Sequence, residues 1–324
     1  MKKITVSAPG KLMLFGEHAV VYGHPCIVTA VDQRMFVTVE KNSSGMFVLN
    51  APEVEVSNYT KPIENLGVGQ IPKGAKFIEI ALGNLISKYN LKPAGLKVIT
   101  RSEFSSKFGF GSSSASTVCL VKAISELFSL KLSQRQIFDI SYKTVLDVQG
   151  KGSGFDVAAA IYGGTIYFKK FGSEIVPLKI SDLNLIVGYS GIKADTVSLI
   201  DSVTKRFKGL EELKDEMLKA IGKIVDDARV ALENQDFAKL GSLMNINQGL
   251  LEALGVSIEK LDNMNSASVA SGAYGAKLSG AGGGDCMIAL SSKEMRKKVE
   301  NAIVSVGGKI LSVKTNAQGV RIEK

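Results

Sequence analysis

Apolar and β-branched residues recur in short runs along the first fifty positions, and glycine, asparagine and serine separate the runs. This pattern predicts strands with the sequences ITVSA, CIVTAV, MFVTVEK and MFVLNA. The segment between the first two, APGKLMLFGEHAVVYGH, is rich in turn residues and is not expected to form one regular element. Residues 76–90 have apolar positions three and four apart, which predicts a helix.

The middle of the chain is predicted to alternate between strands and helices around two glycine clusters. A strand, LKVITRSEF, leads into KFGFGSSSAS, and the apolar residues that follow share one helical face to about residue 129. A second helix is predicted over Ser133–Leu146. The cluster QGKGSGFDVAAAIYGG and the strand TIYFKKF come next.

The last part of the chain is predicted to be mainly helical from about 197 to 253, after a strand at 183–189. It ends with a third glycine cluster, GAKLSGAGGGDCMIAL, then an amphipathic helix and the strands KILSVKT and GVRIEK. Strands and helices interleave without the βαβ rhythm of a doubly wound sheet. We therefore predict an α+β fold whose two halves join near residues 175–185.

Composition and charge narrow the expected partners. Among 324 residues, 40 Lys and Arg against 31 Asp and Glu give a net charge of +9, and the basic residues are scattered along the chain. This balance suits small anionic substrates such as nucleotides. Tryptophan is absent and aromatic residues make up 7%. The chain therefore has few aromatic side chains on which nucleic-acid bases could stack, and no nucleic-acid partner is expected.

Cysteine and histidine usage excludes several kinds of site. Three widely separated cysteines predict reduced thiols rather than a disulfide framework, and two histidines exclude a three-histidine zinc site. No apolar run has the length of a membrane span, and the first residues lack the apolar core of a signal peptide. We expect a cytoplasmic protein without a membrane partner.

The segment KFGFGSSSAS is predicted to cradle phosphate. Gly109 and Gly111 would let the backbone approach a ligand closely. Ser112, Ser113 and Ser114 would then lie at the amino terminus of the following helix, where free N–H groups attract anions. The alternative is an ordinary serine cap after a glycine turn. The segment is not a Walker A loop, because no Gly-Lys-Ser/Thr follows the glycines.

Three further segments carry candidate chemistry. In GSGFD, Asp156 lies near Lys151 and would accept a proton from a substrate hydroxyl, although a helix cap is the commoner role for such an aspartate. In LSGAGGGD, four glycines in five residues favour close contact with a ligand over a simple turn. In PGKLMLFGEHAVVYGH, the charged residues Lys11, Glu17 and His18 stand in an apolar stretch, either as site residues or in structural roles.

Together, these four segments resemble the galactokinase, homoserine kinase, mevalonate kinase and phosphomevalonate kinase superfamily, the GHMP kinases. The resemblance covers nearly the whole chain. It implies a two-domain GHMP kinase fold, with an N-terminal domain like domain 2 of ribosomal protein S5 over residues 1–180 and a ferredoxin-like C-terminal domain over 181–324. It also implies ATP, Mg²⁺ and a small-molecule substrate. Dimers occur in the family, so a homodimer is compatible with the resemblance.

The resemblance also implies roles for individual residues. Asp156 matches the catalytic base, and Lys11 matches the lysine that keeps that aspartate ionised. Residues matched to ATP binding are Gly109, Gly111, Ser112, Ser113, Ser114, Gly280, Gly282, Gly283 and Gly284, and Ser113 is matched to Mg²⁺ as well. Residues assigned to the substrate side are Glu17, His18, Lys107, Lys151, Ser153 and Thr196.

The resemblance divides between two substrates. FGEHAVVYGHP, VGYSGIKADT and LMNINQGLLEALGVS are similar to mevalonate kinases of the archaeal type. KFGFGSSS, QGKGSGFDVAAAIYGG and the aspartate of GAGGGDC are similar to phosphomevalonate kinases. Lys107 and Lys151 would suit a substrate that already carries phosphate. Val145 stands where mevalonate kinases usually have a Mg²⁺-binding glutamate, eleven residues before Asp156, and Asp147 would face elsewhere on the helix.

From the balance of these resemblances, we expect ATP:mevalonate 5-phosphotransferase activity. The main alternative is a kinase of phosphomevalonate, which the central segments favour. A more remote alternative is a nucleotide-binding protein without catalysis on the same fold.

Overall fold

The computed structural model describes residues 2–180 and 183–323, apart from the side chain of Val197. The strands in this part of the chain are β1 (Lys3–Phe15), β2 (Cys26–Lys41), β3 (Met46–Ala51), β4 (Val56–Pro62), β5 (Leu96–Ser102), β6 (Thr165–Lys169), β7 (Glu174–Leu178), β8 (Leu185–Tyr189), β9 (Gly275–Ser279), β10 (Cys286–Leu290), β11 (Lys309–Leu311) and β12 (Arg321–Glu323).

The α-helices in the same residues are α1 (Lys76–Tyr89), α2 (Ser112–Leu127), α3 (Gln134–Gln149), α4 (Phe155–Tyr162), α5 (Thr196–Arg206), α6 (Glu211–Glu233), α7 (Phe237–Leu254), α8 (Glu259–Ala270) and α9 (Arg296–Ser305). Short 3₁₀ helices occur at Ala19–Tyr22, Pro52–Val54, Ile63–Asn65, Lys73–Ala75 and Lys170–Gly172. None of the described helices is both long and apolar enough to cross a membrane.

The first sheet has the strand order β12-β1-β2-β5-β3-β4, and β6 pairs with both β2 and β7. The helix α2 packs against β1 and β2, and α1 and α3 flank it. Nearly the whole of α2 is buried, so its amino terminus is fixed relative to β1. This arrangement positions the phosphate-loop candidate against the first strand.

The first strand is longer than predicted, and a 3₁₀ helix follows it at Ala19–Tyr22, so the prediction that the turn-rich segment after ITVSA is not one regular element is confirmed. The strand β1 continues through it to Phe15, pairing with β2 across register shifts at Pro9/Gly10 and Met13/Phe15. The first shift accommodates the proline without ending the strand. Leu12, Met13, Leu14 and Phe15 are all buried, so the strand is covered on both faces and lacks the apolar–polar alternation that marks a half-exposed strand. Likewise, β2 joins two runs that were predicted as separate strands.

The second sheet has the order β11-β8-β10-β9 and is antiparallel throughout. The helices α8 and α9 pack against it, and α7 packs between α6 and β9. The last strand, β12, returns to the first sheet and pairs with β1. A division of the chain near residue 180 therefore separates the two sheets except for this final strand.

A buried arginine holds the returning strand. The guanidinium of Arg34, on β2, donates to the hydroxyl and carbonyl of Ser7 (2.7 and 3.0 Å) and to the carbonyls of Gln318 and Gly319 (2.7 and 2.8 Å). Arg34 is only 5% exposed. One side chain thus satisfies backbone groups of β1 and of the segment before β12.

Replacing Arg34 with alanine should lower the free energy of unfolding by about 3 kcal/mol or more, because each buried carbonyl left unpaired costs about 1–3 kcal/mol. Urea unfolding measures the change. Lys97→Ala, an exposed change on β5, should stay within about 0.5 kcal/mol. Equal effects of the two changes would show that Arg34 does not hold the terminal strand.

Candidate active site

The phosphate-loop candidate leads directly into the amino terminus of α2. Gly111 precedes the helix with a φ of 75°, a left-handed conformation that favours glycine. Ser112 and Ser113 are the first residues of α2, and their free backbone N–H groups and the helix dipole form a ready anion site. The hydroxyls of Ser116 and Thr117 both donate to the Ser113 carbonyl. Side chains within α2 therefore stabilise the amino terminus of this helix.

Lys11 and Asp156 meet beside this loop. Lys11 is on β1, and its Nζ lies 3.7 Å from Oδ1 of Asp156, in the first turn of α4. Asp156 Oδ1 is buried and has no hydrogen-bond partner. A Cβ atom at Gly111 would lie 3.4 Å from the Lys11 side chain and 3.7 Å from Asp156 Cβ. The loop therefore lies beside a carboxylate that has a free acceptor next to an ammonium.

Two cavities meet at this pair of residues. The larger, of about 630 Å³, runs from α2 past the segment around Val54 to Phe77 and Ile78 on α1. The smaller, of about 120 Å³, is bounded by the end of the first motif and the loop before α4. Residues that line both cavities are Lys11, Ser113, Gln149, Asp156, Thr196, Gly280 and Ala281. A group transferred from one cavity to the other would pass between Lys11, Asp156 and the helix terminus.

The predicted site residues divide between the two cavities. Those that line the smaller one alone are Glu17, His18, Ser114, Lys151 and Ser153; those that line the larger one alone are Lys107, Gly109, Gly111 and Ser112. Ser114, which the resemblance assigned to ATP, therefore lies on the side of the smaller cavity. Lys107, which it assigned to the substrate, lies on the side of the larger one.

Three glycines of the third motif, Gly282, Gly283 and Gly284, line neither cavity. Cβ atoms there would lie 2.1 Å from the Val256 carbonyl oxygen, 2.9 Å from the Leu199 side chain and 2.6 Å from the Ile192 carbonyl oxygen. These glycines therefore let the loop pack tightly on its own domain. Their neighbour Gly280 is the member that lines both cavities.

Side chains of the first motif contact the third motif in the interior. The Nε2 of His18 lies 2.7 Å from the Ala281 carbonyl oxygen. Glu17 forms an ion pair with Lys277 on β9, and both side chains have no exposed surface. Burial raises the pKa of Glu17 and lowers the pKa of Lys277, and each charge opposes the shift of the other. Lys277 was not among the residues selected from the sequence, although a lysine inside the apolar strand before the glycines was a visible signal.

Burial also lowers the pKa of His18, which favours the neutral ring with Nε2–H donating to Ala281. Below the ordinary histidine pKa of 6.5, His18 therefore binds more protons in the unfolded chain than in the folded one. This contribution to stability is present above that value and is lost as the pH falls toward the folded pKa. We expect wild-type protein to lose stability between pH 7.5 and 5.5, with at most about 1.4 kcal/mol per pH unit coming from His18.

Urea unfolding of wild type and His18→Gln at both pH values measures this contribution. The variant should show a smaller loss, since glutamine does not titrate. His24→Gln is the control, because His24 is only partly buried and should account for less of the change. An unaltered pH dependence in His18→Gln would contradict the assignment.

Carboxylates near the loop have distinct surroundings. Asp147 pairs with Lys143 and accepts a hydrogen bond from Asn84 (2.6 and 2.9 Å), whereas Val145 lines the smaller cavity. The side chain of Asp285, in the third motif, accepts a hydrogen bond from the Ala194 amide at 3.0 Å and would meet a Cβ at Gly109. Burial raises the pKa of Asp285. Asp285 lines the larger cavity and not the smaller one.

Comparison with known proteins places this arrangement in a family. Residues 76–164 match the model of the GHMP kinases N terminal domain, and residues 228–309 match that of the GHMP kinases C terminal domain. The chain belongs to the GHMP kinase family and is a small-molecule kinase. The predicted family and its two-domain α+β fold are therefore confirmed.

Individual relatives narrow the class. The chain is 37% identical to the mevalonate kinase of Pyrococcus furiosus, over 99% of both chains. Its fold matches the crystal structure of the Methanococcus jannaschii mevalonate kinase with a TM-score of 0.83, at 27% identity over 98% of this chain and 99% of that one. A Streptococcus pneumoniae phosphomevalonate kinase in complex with phosphomevalonate and AMPPNP has a TM-score of 0.80 at 20% identity, over 97% and 100%. Because its identity is only 20%, the likeness to the phosphomevalonate kinase is evidence for the fold alone.

Proposed function

We propose that this protein is an ATP-dependent mevalonate kinase, which transfers the γ-phosphate of ATP to the 5-hydroxyl of (R)-mevalonate. The observation that carries the proposal is 37% identity, over 99% of both chains, to a curated mevalonate kinase. The site supports it independently, because Lys11 and Asp156 lie where two cavities meet. One cavity has a phosphate-binding helix terminus, and the other is small and partly apolar.

In this proposal, ATP occupies the larger cavity with its phosphates at the amino terminus of α2. Mevalonate occupies the smaller cavity, with its 5-hydroxyl directed at Asp156. The free Oδ1 of Asp156 accepts the hydroxyl proton while the substrate oxygen bonds to the γ-phosphorus and the bond to the β-phosphate oxygen breaks, giving 5-phosphomevalonate and ADP. Lys11 offsets the charge on the aspartate and on the transferring phosphoryl group.

The donor set also fits Mg²⁺ brought in with ATP. Within the described residues, no group of three or more His, Cys, Asp or Glu side chains could hold a metal ion. Mg²⁺ in such enzymes needs only one or two protein oxygens besides the phosphates. The Ser113 hydroxyl, which lines both cavities, is the oxygen this chain would supply. The ion would neutralise charge on the phosphates.

Phosphomevalonate is the second candidate substrate, and the observation that favours it is Lys151. This lysine lines the smaller cavity, where it would meet a phosphate on the acceptor. In the structure, however, its Nζ lies 2.6 Å from Asp201 on α5, so a carboxylate already balances its charge. Lys107 lines the other cavity. The local charge therefore favours the substrate without phosphate.

The deciding experiment measures ADP release with Mg-ATP and either (R)-mevalonate or (R)-5-phosphomevalonate, in parallel. We expect turnover with mevalonate alone. Turnover with phosphomevalonate alone would replace the proposal with the second candidate. The absence of turnover with both would favour a binding protein without catalysis. A cytoplasmic location, the absence of nucleic-acid partners and a homodimer stay predictions.

A further inference from the structure

Lys277 is a fully buried charge inside the second sheet. It lies on β9, one residue before the Leu278 whose N–H donates to Gln248 Oε1 at 2.9 Å. Its Nζ donates to Oε1 of Glu17 and, at 2.5 Å, to the Leu278 carbonyl. Burying an ammonium is costly unless it is paired. A lysine at this position therefore indicates a role for its charge that an apolar residue could not fill.

The Lys277–Glu17 pair belongs to a junction between the first and third motifs. In the same junction, the Met13 N–H donates to Ser279 Oγ at 3.1 Å, and that hydroxyl donates back to the Met13 carbonyl at 2.9 Å. His18 contacts Ala281 nearby. Neutral hydrogen bonds thus already join the two motifs. The ion pair adds a charge on Glu17, which faces the smaller cavity.

One oxygen of Glu17 is left for a ligand. Lys277 takes Oε1, while Oε2 is buried and has no hydrogen-bond partner. An unpartnered buried carboxylate oxygen is expensive, and a donor from a bound molecule would remove that cost. Glu17 lines the smaller cavity together with Lys11 and Asp156. A hydroxyl on the acceptor substrate is a donor of the required kind.

We propose that Lys277 is a positioning residue of the active site: it aligns Glu17 and keeps it a carboxylate, so that Glu17 Oε2 accepts a hydrogen bond from a hydroxyl of the acceptor substrate. For mevalonate, that group is the 3-hydroxyl, since the 5-hydroxyl faces Asp156. The inference rests on the proposed function for the identity of the substrate. Lys277 acts only through Glu17 and does not itself touch the substrate.

The test is a double-mutant cycle with Lys277→Met, Glu17→Gln and the double variant, measuring kcat and the KM values for mevalonate and ATP, with the mevalonate Kd from calorimetry. We expect Lys277→Met to raise the KM and Kd for mevalonate at least tenfold, with the KM for ATP changed less than threefold. The double variant should match Glu17→Gln, since Lys277 then has no charge to align. Lys260→Met is the matched control, because that lysine donates to the Val306 carbonyl, away from the cavities.

Two results would overturn the inference. One is a folded Lys277→Met protein whose KM for mevalonate is unchanged. The other is a loss on adding Lys277→Met to Glu17→Gln that is as large as the loss in wild type, which would indicate a structural role. If Lys277→Met does not fold, the comparison of the double variant with Glu17→Gln decides alone, because the double variant contains neither charge and the amide oxygen in Glu17→Gln can still accept from Lys277.

The parallel substrate assay keeps the two proposals apart. If wild type accepts phosphomevalonate and not mevalonate, the proposed function fails, and the same cycle is measured with the accepted substrate. A specific rise in that substrate's KM would still support the role of Lys277. Wild type that binds neither substrate in calorimetry would overturn both proposals.

Discussion

Replacing Asp156 with asparagine should lower kcat by about 10²–10⁴-fold, the usual contribution of a general base, while ATP affinity changes by less than threefold. Asparagine keeps the shape of the side chain but accepts no proton. In the proposed mechanism, the free Oδ1 beside Lys11 accepts that proton. The measurement combines ADP release with calorimetric binding of an unhydrolysed ATP analogue.

Asp147→Asn is the matched control for this prediction. It makes the same chemical change on the neighbouring helix α3, where the carboxylate pairs with Lys143 and Asn84. Its kcat should stay within a factor of two of wild type. Full activity of Asp156→Asn would exclude Asp156 as the base and leave positioning and charge neutralisation as the sources of catalysis.

Replacing Gly282 with alanine should lower kcat/KM at least 100-fold, because misplacing a catalytic element by about 1 Å can cost that much. Gly282 has a φ of +84°, and a Cβ atom would lie 2.1 Å from the Val256 carbonyl oxygen. The loop would have to move, and it also carries Ala281, which contacts His18, and Gly280, which lines both cavities. Steady-state kinetics with both substrates measures the effect.

Gly209→Ala separates the clash from the backbone strain. Gly209 has nearly the same φ, +83°, and a Cβ atom there would meet no atom within 4 Å. It lies between α5 and α6, outside the lining of both cavities. This variant should lose some stability and keep its activity. An equal loss of activity in the two variants would mean that general destabilisation, and not displacement of the loop, is the cause.

Local patterns in the sequence were sufficient for much of the fold. The helix α2 and the glycine turn before it were predicted because apolar spacing and positive-φ residues act over a few positions. The strand β1 was predicted too short, because its second half is buried on both faces and has no alternation. The strands β4 and β7 were missed, since β4 has the largely polar sequence VSNYTKP and β7 has only five residues.

The candidate site also combines features that the local sequence shows with features that depend on tertiary structure. Glycine turns, a helix start and a carboxylate near a lysine are local features that left alternatives open. The resemblance of these segments to the GHMP kinases selected Asp156, Lys11 and Ser113 as candidates. The sequence did not show which cavity each residue lines. Lys107 lines the larger cavity and Ser114 the smaller one, because side-chain direction depends on how the loop and α2 pack against β1.

By itself, then, the sequence indicated the family and its class of chemistry, and it supplied candidate residues for that chemistry. Only the tertiary structure decided which distant residues share an environment. Glu17 and Lys277 are 260 positions apart and form a fully buried ion pair. Asp201 balances Lys151 across fifty positions. Such pairs form where the two sheets and their helices pack together, and no short-range pattern in the sequence shows which residues become neighbours there.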